Sequence, residues 1–241
     1  MQKRMVVWLM VLAFVVISVP VAAAGWQKID AKGVKEMMDH EDPLVVFPLS
    51  RIEYNNLHIE GSVNIPLYQL EASLPADKNR KMVFYCLGTK CTASPLAADM
   101  AVELGYKNVY AFIEGLPGWI KAGYSTKTIE RLPLASIQSI SPEALKEKLA
   151  QNPQMVLIDI RPDDVSNVRI DHPRYQVIPL DDLITRLDEI PRDAEVAIVC
   201  QKGKRGPTAV RYLAGKGFSN ISCLRGGVKG WQDAGLPILK R

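Results

Sequence analysis

Short apolar runs separated by longer mixed segments make up the pattern of hydrophobic and polar positions along this chain. Residues 154–160 ("QMVLIDI"), 195–200 ("EVAIVC") and 220–224 ("NISCL") lack the regular alternation of apolar and polar residues that marks a half-exposed strand. Each run has the length of a single strand. Apolar strands of this kind are typical of a parallel sheet that is covered on both faces.

Helix signals fill the segments between these strands. Ser141 and Pro142 fit the N-cap and first turn of a helix that runs through about Leu149. A second helix is predicted from Pro207 to Gly217, directly after the strand that ends in a cysteine. The alternation of strands and helices therefore predicts an α/β fold with a parallel sheet flanked by helices.

The chain contains an internal repeat. Residues 103–123 align without a gap to residues 215–235. The identical pairs are Gly105/Gly217, Asn108/Asn220, Gly115/Gly227, Gly118/Gly230, Trp119/Trp231, Ala122/Ala234 and Gly123/Gly235. Shorter matches precede them in the same order, 45–50 with 156–161 and 64–67 with 177–180. We therefore predict two homologous domains, residues 25–127 and 140–241, joined by a linker at 128–139.

The N-terminus has the layout of a secretory signal peptide. Two basic residues in "MQKR" precede an apolar run, and small residues follow at Ala22 and Ala24. We predict cleavage after residue 24 and export, most simply to a bacterial periplasm. The alternative is an uncleaved N-terminal membrane anchor, since residues 5–24 are almost long enough to span a bilayer. A membrane is an expected partner only in that case.

The charge and the cysteine content of the chain argue against two classes of protein, nucleic-acid-binding proteins and disulfide scaffolds. Cleavage would remove two of the 30 basic residues and none of the 26 acidic ones, which leaves the two signs nearly balanced. A nucleic-acid-binding protein usually has a concentrated basic excess, so no nucleic-acid partner is expected. Four cysteines are too few for a disulfide scaffold in a chain of this length. Thiols that are exported are therefore expected to have a chemical role.

The loop "CQKGKRG" (200–206) fits a reactive cysteine. A cysteine acts as a nucleophile only as the thiolate, and a strand-to-helix turn directs backbone N–H groups and a helix dipole at its sulfur. Gly203 lets the backbone close round Cys200, and three cationic side chains add positive charge that would attract an anion. They are Lys202, Lys204 and Arg205. The alternative is a buried strand-end cysteine beside solvated basic residues.

The second repeat resembles a rhodanese domain along nearly its whole length. The similarity lies in "VLIDIRPDD", "VIPL", "AIVCQKGKRGPTAVRYLAGKGFSNISCLRGGVKGWQDAG" and their order. With the first repeat included, the mature chain resembles a tandem-domain, thiosulfate sulfurtransferase-like protein. The resemblance implies a sulfurtransferase in which Cys200 becomes a persulfide. It implies a small sulfur anion as donor (thiosulfate, polysulfide or a persulfide) and cyanide or a thiol, including a protein thiol, as acceptor. No cofactor is expected besides the covalent persulfide, and no metal.

The same resemblance assigns roles to the loop. The residues expected to bind substrate around the sulfur are Gln201, Lys202, Gly203, Lys204 and Gly206, and Arg205 would hold or activate the anionic donor. Asp159 and Arg161 would support the domain structurally. Related phosphatases of this fold use a loop one residue longer, and often have His where this chain has Val199. A phosphatase or arsenate reductase is therefore the weaker hypothesis.

The first repeat departs from this pattern at its loop, "CLGTKCTAS" (86–94). It has no arginine, but it resembles a rhodanese subgroup with a Cys-x4-Cys loop. Cys86 is expected to be an accessory site, and three interpretations of the pair remain open. Cys91 could resolve a persulfide or mixed disulfide on Cys86. The pair could bind a metal, although it lacks a second ligand pair. Or domain 1 could be a structural partner with an idle cysteine pair.

The remaining residues with chemical potential have structural interpretations. Cys223 lies on an apolar strand and is predicted to be core, and His58 fits a structural turn. Trp119 and Trp231 are expected to pack their domains. The leading hypothesis is an exported sulfurtransferase with Cys200 as principal sulfur carrier. Its alternative is a non-catalytic persulfide-binding or thiol redox-relay protein.

Overall fold

The computed structural model describes residues 25–162 and 167–240. The predicted signal peptide at 1–24 lies outside the described residues. Within them, no helix combines the length and the apolar character needed to cross a bilayer.

The first repeat folds around a five-stranded parallel sheet in the order β1-β6-β5-β2-β4. Its strands are β1 (Gln27–Lys28), β2 (Leu44–Phe47), β4 (Val63–Asn64), β5 (Met82–Tyr85) and β6 (Val109–Phe112), and an antiparallel pair is formed by β3 (His58–Ile59) and β7 (Thr126–Lys127). Its helices are α1 (Ala31–His40), α2 (Arg51–Asn56), α3 (Leu70–Ser73), α4 (Ala93–Glu103) and α5 (Gly115–Lys121).

The second repeat has the same topology, with a parallel sheet in the order β11-β9-β12-β13-β8. Its strands are β8 (Gln138–Ile140), β9 (Val156–Asp159), β11 (Tyr175–Val177), β12 (Val196–Val199) and β13 (Ile221–Leu224), and an antiparallel pair is formed by β10 (Val168–Ile170) and β14 (Ile238–Lys240). Its helices are α6 (Pro142–Gln151), α7 (Gly206–Gly215) and α8 (Gly227–Asp233). The predicted α/β fold with two parallel sheets is confirmed.

Local sequence explains where these elements begin. The Ser141 side chain accepts the N–H of Ala144, so the predicted N-cap of α6 is confirmed. Strands β9 and β12 are buried at every position because helices cover both faces of the sheet. Strand β8 begins at Gln138, so the second sheet takes up the last residues of the segment predicted as linker.

The two domains pack against each other through the connecting segment and α2. Leu132 of the connection and Ile52 of α2 are both buried in the apolar core of the second domain. Arg211 on α7 donates hydrogen bonds to the carbonyls of Leu132 and Pro133. These contacts fix the connection on the second domain and place the beginning of α2 beside the beginning of α7.

Candidate active site

Cys200 lies directly after β12, the central strand of the second sheet, and is only 5% exposed. Five residues (201–205) separate it from Gly206, where the ten-residue helix α7 begins. The loop therefore brings Cys200 close to the N-terminus of a helix, where free backbone N–H groups and the helix dipole favour negative charge. This is the position that the sequence predicts for a reactive thiolate.

Two consecutive glycines, Gly226 and Gly227, pack against the backbone of the Cys200 loop. Gly227 has a φ of +62°, and a Cβ at this position would lie 2.0 Å from the carbonyl oxygen of Cys200. A Cβ at Gly203 would lie 2.7 Å from the backbone nitrogen of Gly226. The closeness permits a hydrogen bond of 2.8 Å from the N–H of Val228 to the Cys200 carbonyl. The Gly226-Gly227 segment is thus a structural support for the cysteine loop, and only its second glycine is repeated in domain 1, as Gly115.

The predicted substrate-binding residues are distributed round this loop. Gln201, Lys202 and Lys204 are exposed, Gly203 is half-buried and Gly206 is buried. The exposed lysines lie on the solvent side of the cysteine. They add positive charge there without forming an ion pair with any described residue.

Asp159 and Arg161 form a buried ion pair at the end of β9, with 2.7 Å between Nη2 and Oδ2. Arg161 also donates from Nη1 to the side-chain oxygen of Gln201 at 3.0 Å, and from Nη2 to the carbonyl of Val168. The pair therefore ties the motif strand to the first residue of the cysteine loop. These contacts agree with their predicted role as structural support, which stays a prediction.

Arg205 extends across the domain boundary to Glu53 on α2. Its Nη2 lies 3.2 Å from Oε2 of Glu53, which is 6% exposed. The same carboxylate oxygen accepts from the N–H and the hydroxyl of Ser50, which completes a capping box on α2. Glu53 is a site residue that the sequence analysis missed. The spacing of Ser50 and Glu53 indicates the cap, but gives no sign of the arginine.

A cavity of about 620 Å³ lies between the domains beside Arg205. Equivalent segments of the two repeats line it, 48–50 and 66–68 from the first, and from the second Ile160, Pro162 and residues 179–182. Asp181 in this lining accepts the N–H of Arg51 at 2.6 Å, and burial raises the pKa of its carboxyl group. The repeat thus builds an apolar cavity with acidic groups around Arg205, the single arginine among its described lining residues.

Cys86 occupies the equivalent place in domain 1, directly after β5, and is fully buried. The thiol of Cys91 donates a hydrogen bond to it, and this is the largest cause that lowers the pKa of Cys86 to about 6. The Ser94 hydroxyl, 3.4 Å from the Cys86 sulfur, and backbone N–H groups act in the same direction, while burial opposes them. The same hydrogen bond raises the pKa of Cys91. The sequence-predicted pair is therefore in contact, with the negative charge on Cys86.

Cys223 and the two repeated tryptophans are buried, as the sequence predicts. Cys223 is buried in the core under α7, and burial raises the pKa of its thiol. All four cysteines have free thiols. Trp119 and Trp231 are buried and donate from Nε1 to the carbonyls of Ser125 and Pro237. No group of three or more His, Cys, Asp or Glu side chains in residues 25–162 and 167–240 is placed to hold a metal ion.

Comparisons with known proteins agree with this architecture. The family model of the rhodanese-like domain matches residues 27–122 and 141–234. A sulfurtransferase of Allochromatium vinosum is 35% identical over 104 residues, which cover 43% of this chain and 95% of that protein. The putative sulfurtransferase YtwF of Bacillus subtilis is 30% identical over 102 residues, covering 42% of this chain and 96% of that protein.

Among solved structures, a thiosulfate sulfurtransferase from Pseudomonas aeruginosa is similar, with 21% identity and a TM-score of 0.45. The match covers 89% of this chain and 43% of that chain, so this chain spans under half of that protein's length.

Proposed function

Because the chain belongs to the rhodanese-like family, we propose that it is a sulfurtransferase in which Cys200 carries sulfane sulfur as a persulfide. The observation that carries the proposal is the placement of Cys200, buried after the central strand, beside the N-terminus of α7 and five positions before Arg205. A thiolate is stabilised there, and so is the anionic persulfide that follows it.

The reaction has two nucleophilic steps. The Cys200 thiolate attacks the terminal sulfur of a donor such as thiosulfate, the sulfur–sulfur bond of the donor breaks, and sulfite leaves with its electron pair. In the second step an acceptor such as cyanide or a thiolate attacks the outer sulfur of the persulfide. Thiocyanate or a new persulfide is released and the Cys200 thiolate returns. Both steps conserve charge, and neither needs a cofactor or a metal.

The residues of the Cys200 loop have different roles in this reaction. The backbone N–H groups between Gln201 and Gly206 stabilise negative charge on the outer sulfur, as in an oxyanion hole. The Arg205 guanidinium, the last group before α7, binds the donor. Lys202 and Lys204 attract anions from solvent, and their contribution falls as salt concentration rises.

Thiocyanate production from thiosulfate or polysulfide and cyanide tests the proposal. Wild type, Cys200→Ser and Cys86→Ser should be measured side by side on the mature protein. We expect Cys200→Ser to abolish turnover and Cys86→Ser to retain most of it. Absence of turnover with both donors and with an organic hydropersulfide, despite a persulfide on Cys200 detected by mass, would support a non-catalytic sulfur carrier instead. Loss of activity in Cys86→Ser alone would assign the principal role to domain 1.

A second candidate function, a thiol redox relay, is favoured at Cys86 by its lowered pKa and its contact with Cys91. Cys91 would resolve a persulfide on Cys86: its thiol gives its proton to the outer sulfur, its thiolate attacks the Cys86 sulfur, and the persulfide bond breaks to leave a Cys86–Cys91 disulfide and hydrogen sulfide. Peptide mass analysis after incubation with polysulfide tests this step. A Cys86–Cys91 disulfide in wild type and a stable Cys86 persulfide in Cys91→Ser are the expected results. A stable persulfide in both proteins would leave Cys91 without a resolving role.

A further inference from the structure

The basic loop predicts a positively charged site, but the surroundings of Arg205 are acidic. Its guanidinium is already paired with the Glu53 carboxylate of the other domain at 3.2 Å. Asp181 and Asp182 line the same cavity, in which Arg205 is the single cation among the lining residues that the structure describes. Lys202 and Lys204 are not part of that lining. A small dianion that enters the cavity beside Arg205 therefore meets a carboxylate together with the guanidinium.

We infer that Glu53 selects the sulfur donor, by excluding small dianions such as thiosulfate and leaving the site to organic hydropersulfides. The inference rests on the proposed function and names its donor class. A hydropersulfide, R–S–S–H, bears at most one negative charge on its reacting end. It is repelled by Glu53 far less than a dianion is.

The cavity next to Arg205 offers an apolar surface to the organic part of such a donor, whose reacting sulfur has to extend past Arg205 to Cys200, outside the lining. Its lining next to Arg205 is largely apolar and comes from both repeats: Pro48, Leu49 and Leu67 from the first, Ile160 and Leu180 from the second. A carbon chain or ring gains free energy when it leaves water for such a surface, whereas thiosulfate has no apolar part to place there.

Arg205 also retains donors for the reacting end, because Nη2 is its only group with a hydrogen-bond partner among the described residues. Its Nε is buried and has no hydrogen-bond partner among the described residues, although Nη2 is held by Glu53. A buried polar group of this kind calls for a partner that is present in part of the catalytic cycle.

The transfer step balances without another reactant. The Cys200 thiolate attacks the terminal sulfur of R–S–S–H and forms a new sulfur–sulfur bond. The bond within the donor breaks, and R–S⁻ leaves with the electron pair. Cys200 then holds –S–S–H, and the negative charge has moved from Cys200 to the departing thiolate.

The test compares donors in wild type and Glu53→Gln. Glutamine can keep the capping box with Ser50, so the change removes the charge and retains the cap. With cyanide as acceptor, we expect kcat/KM for thiosulfate to rise roughly tenfold or more at low salt. For benzyl hydropersulfide, generated in the assay from a protected precursor, we expect a change below about threefold, because its charge is smaller. Glu60→Gln, at an exposed carboxylate of the same domain, is the matched control and should change neither value.

Failure of the proposed function and failure of the inference about Glu53 give different results. Lack of turnover of either donor by wild type counts against the proposed function. Turnover with an unchanged donor ratio in Glu53→Gln overturns the inference about Glu53. Calorimetric binding of thiosulfate to Cys200→Ser gives a readout that needs no turnover. Its affinity should rise roughly tenfold when Glu53→Gln is added, and an unchanged affinity would equally overturn the inference. Thermal unfolding of each variant checks that the fold is retained.

Discussion

The guanidinium of Arg205 and the carboxylate of Glu53 form an ion pair across the two domains, with 3.2 Å between Nη2 and Oε2. Glu53 is almost completely buried, whereas the arginine side chain is 37% exposed. The carboxylate is fixed by the cap of α2, so the first repeat sets the position and effective charge of a residue in the cysteine loop of the second. The repeat whose cysteine loop lacks an arginine thus contributes to the site whose loop has one.

Removal of Arg205 should impair transfer, and the loss should depend on Glu53. In Arg205→Ala we expect kcat/KM for thiosulfate to fall roughly tenfold or more, because a charge that stabilises the anion is lost and Glu53 is left unpaired. Because Glu53 repels the anion more strongly once it is unpaired, Glu53→Gln should raise kcat/KM by a larger factor in Arg205→Ala than in wild type, which a double-mutant cycle measures. Arg131→Ala, at an exposed arginine, is the control. Simple addition of the two single effects would contradict the coupling.

Cys86 should be alkylated at unusually low pH. Its pKa of about 6 means that the thiolate is present above pH 6 and is lost as the pH falls below it. We expect the rate of its reaction with iodoacetamide, followed on the Cys86 peptide by mass spectrometry, to reach half of its plateau near pH 6. In Cys91→Ala the main hydrogen-bond donor is gone, so the midpoint should move up toward 9, the ordinary value for a thiol. An unmoved midpoint would contradict the assigned cause.

The fold could be predicted from the sequence because its signals are local. Apolar runs mark the buried strands, Ser141 marks a helix start, and the repeat shows that one topology occurs twice. The stretch from Cys86 to Gly105 is two residues longer than the stretch from Cys200 to Gly217, and the helices show where the extra residues lie. The first loop has six residues (87–92) against five in the second (201–205), and α4 has eleven residues against ten in α7.

The contact between Glu53 and Arg205 could not be predicted, because the two residues are 152 positions apart. It depends on how α2 packs against α7, and no short motif encodes the packing of one domain on another. The charge on Cys86 is a similar case. The sequence shows that Cys91 and Ser94 follow in the loop, but only the turn of the backbone decides that both contact the same sulfur.

Asp159 should be important for stability. In Asp159→Asn the buried Arg161 guanidinium loses its counter-ion, and breaking a buried pair in this way costs about 3–5 kcal/mol. Urea unfolding followed by circular dichroism measures the loss. Asp188→Asn, which removes the same charge from an exposed position, should change the free energy of unfolding by about 0.5 kcal/mol or less. Equal effects of the two variants would show that the buried pair is not a main support of the domain.

The Cys200 loop should tolerate no side chain at Gly227, because a Cβ there clashes with the loop. Gly235 allows this clash to be separated from backbone strain. Gly227 and Gly235 have nearly the same backbone conformation, with φ of +62° and +67°. A Cβ at Gly227 would lie 2.0 Å from the Cys200 carbonyl oxygen, whereas at Gly235 no heavy atom lies within 4 Å. Gly235→Ala should therefore show backbone strain alone, about 1–2 kcal/mol. Gly227→Ala adds a clash that only a shift of the loop can relieve.

Activity and stability should separate the two glycine variants. We expect Gly235→Ala to keep wild-type kcat/KM once the assay temperature is well below its lowered unfolding midpoint. Gly227→Ala should lose more stability and also most of its sulfur transfer, since the carbonyl of Cys200 has to move and the sulfur moves with it. Gly115→Ala makes the equivalent clash in domain 1, 2.1 Å from the Cys86 carbonyl, and should slow alkylation of Cys86. Full sulfur transfer by a folded Gly227→Ala protein would show that the loop position does not control the reaction.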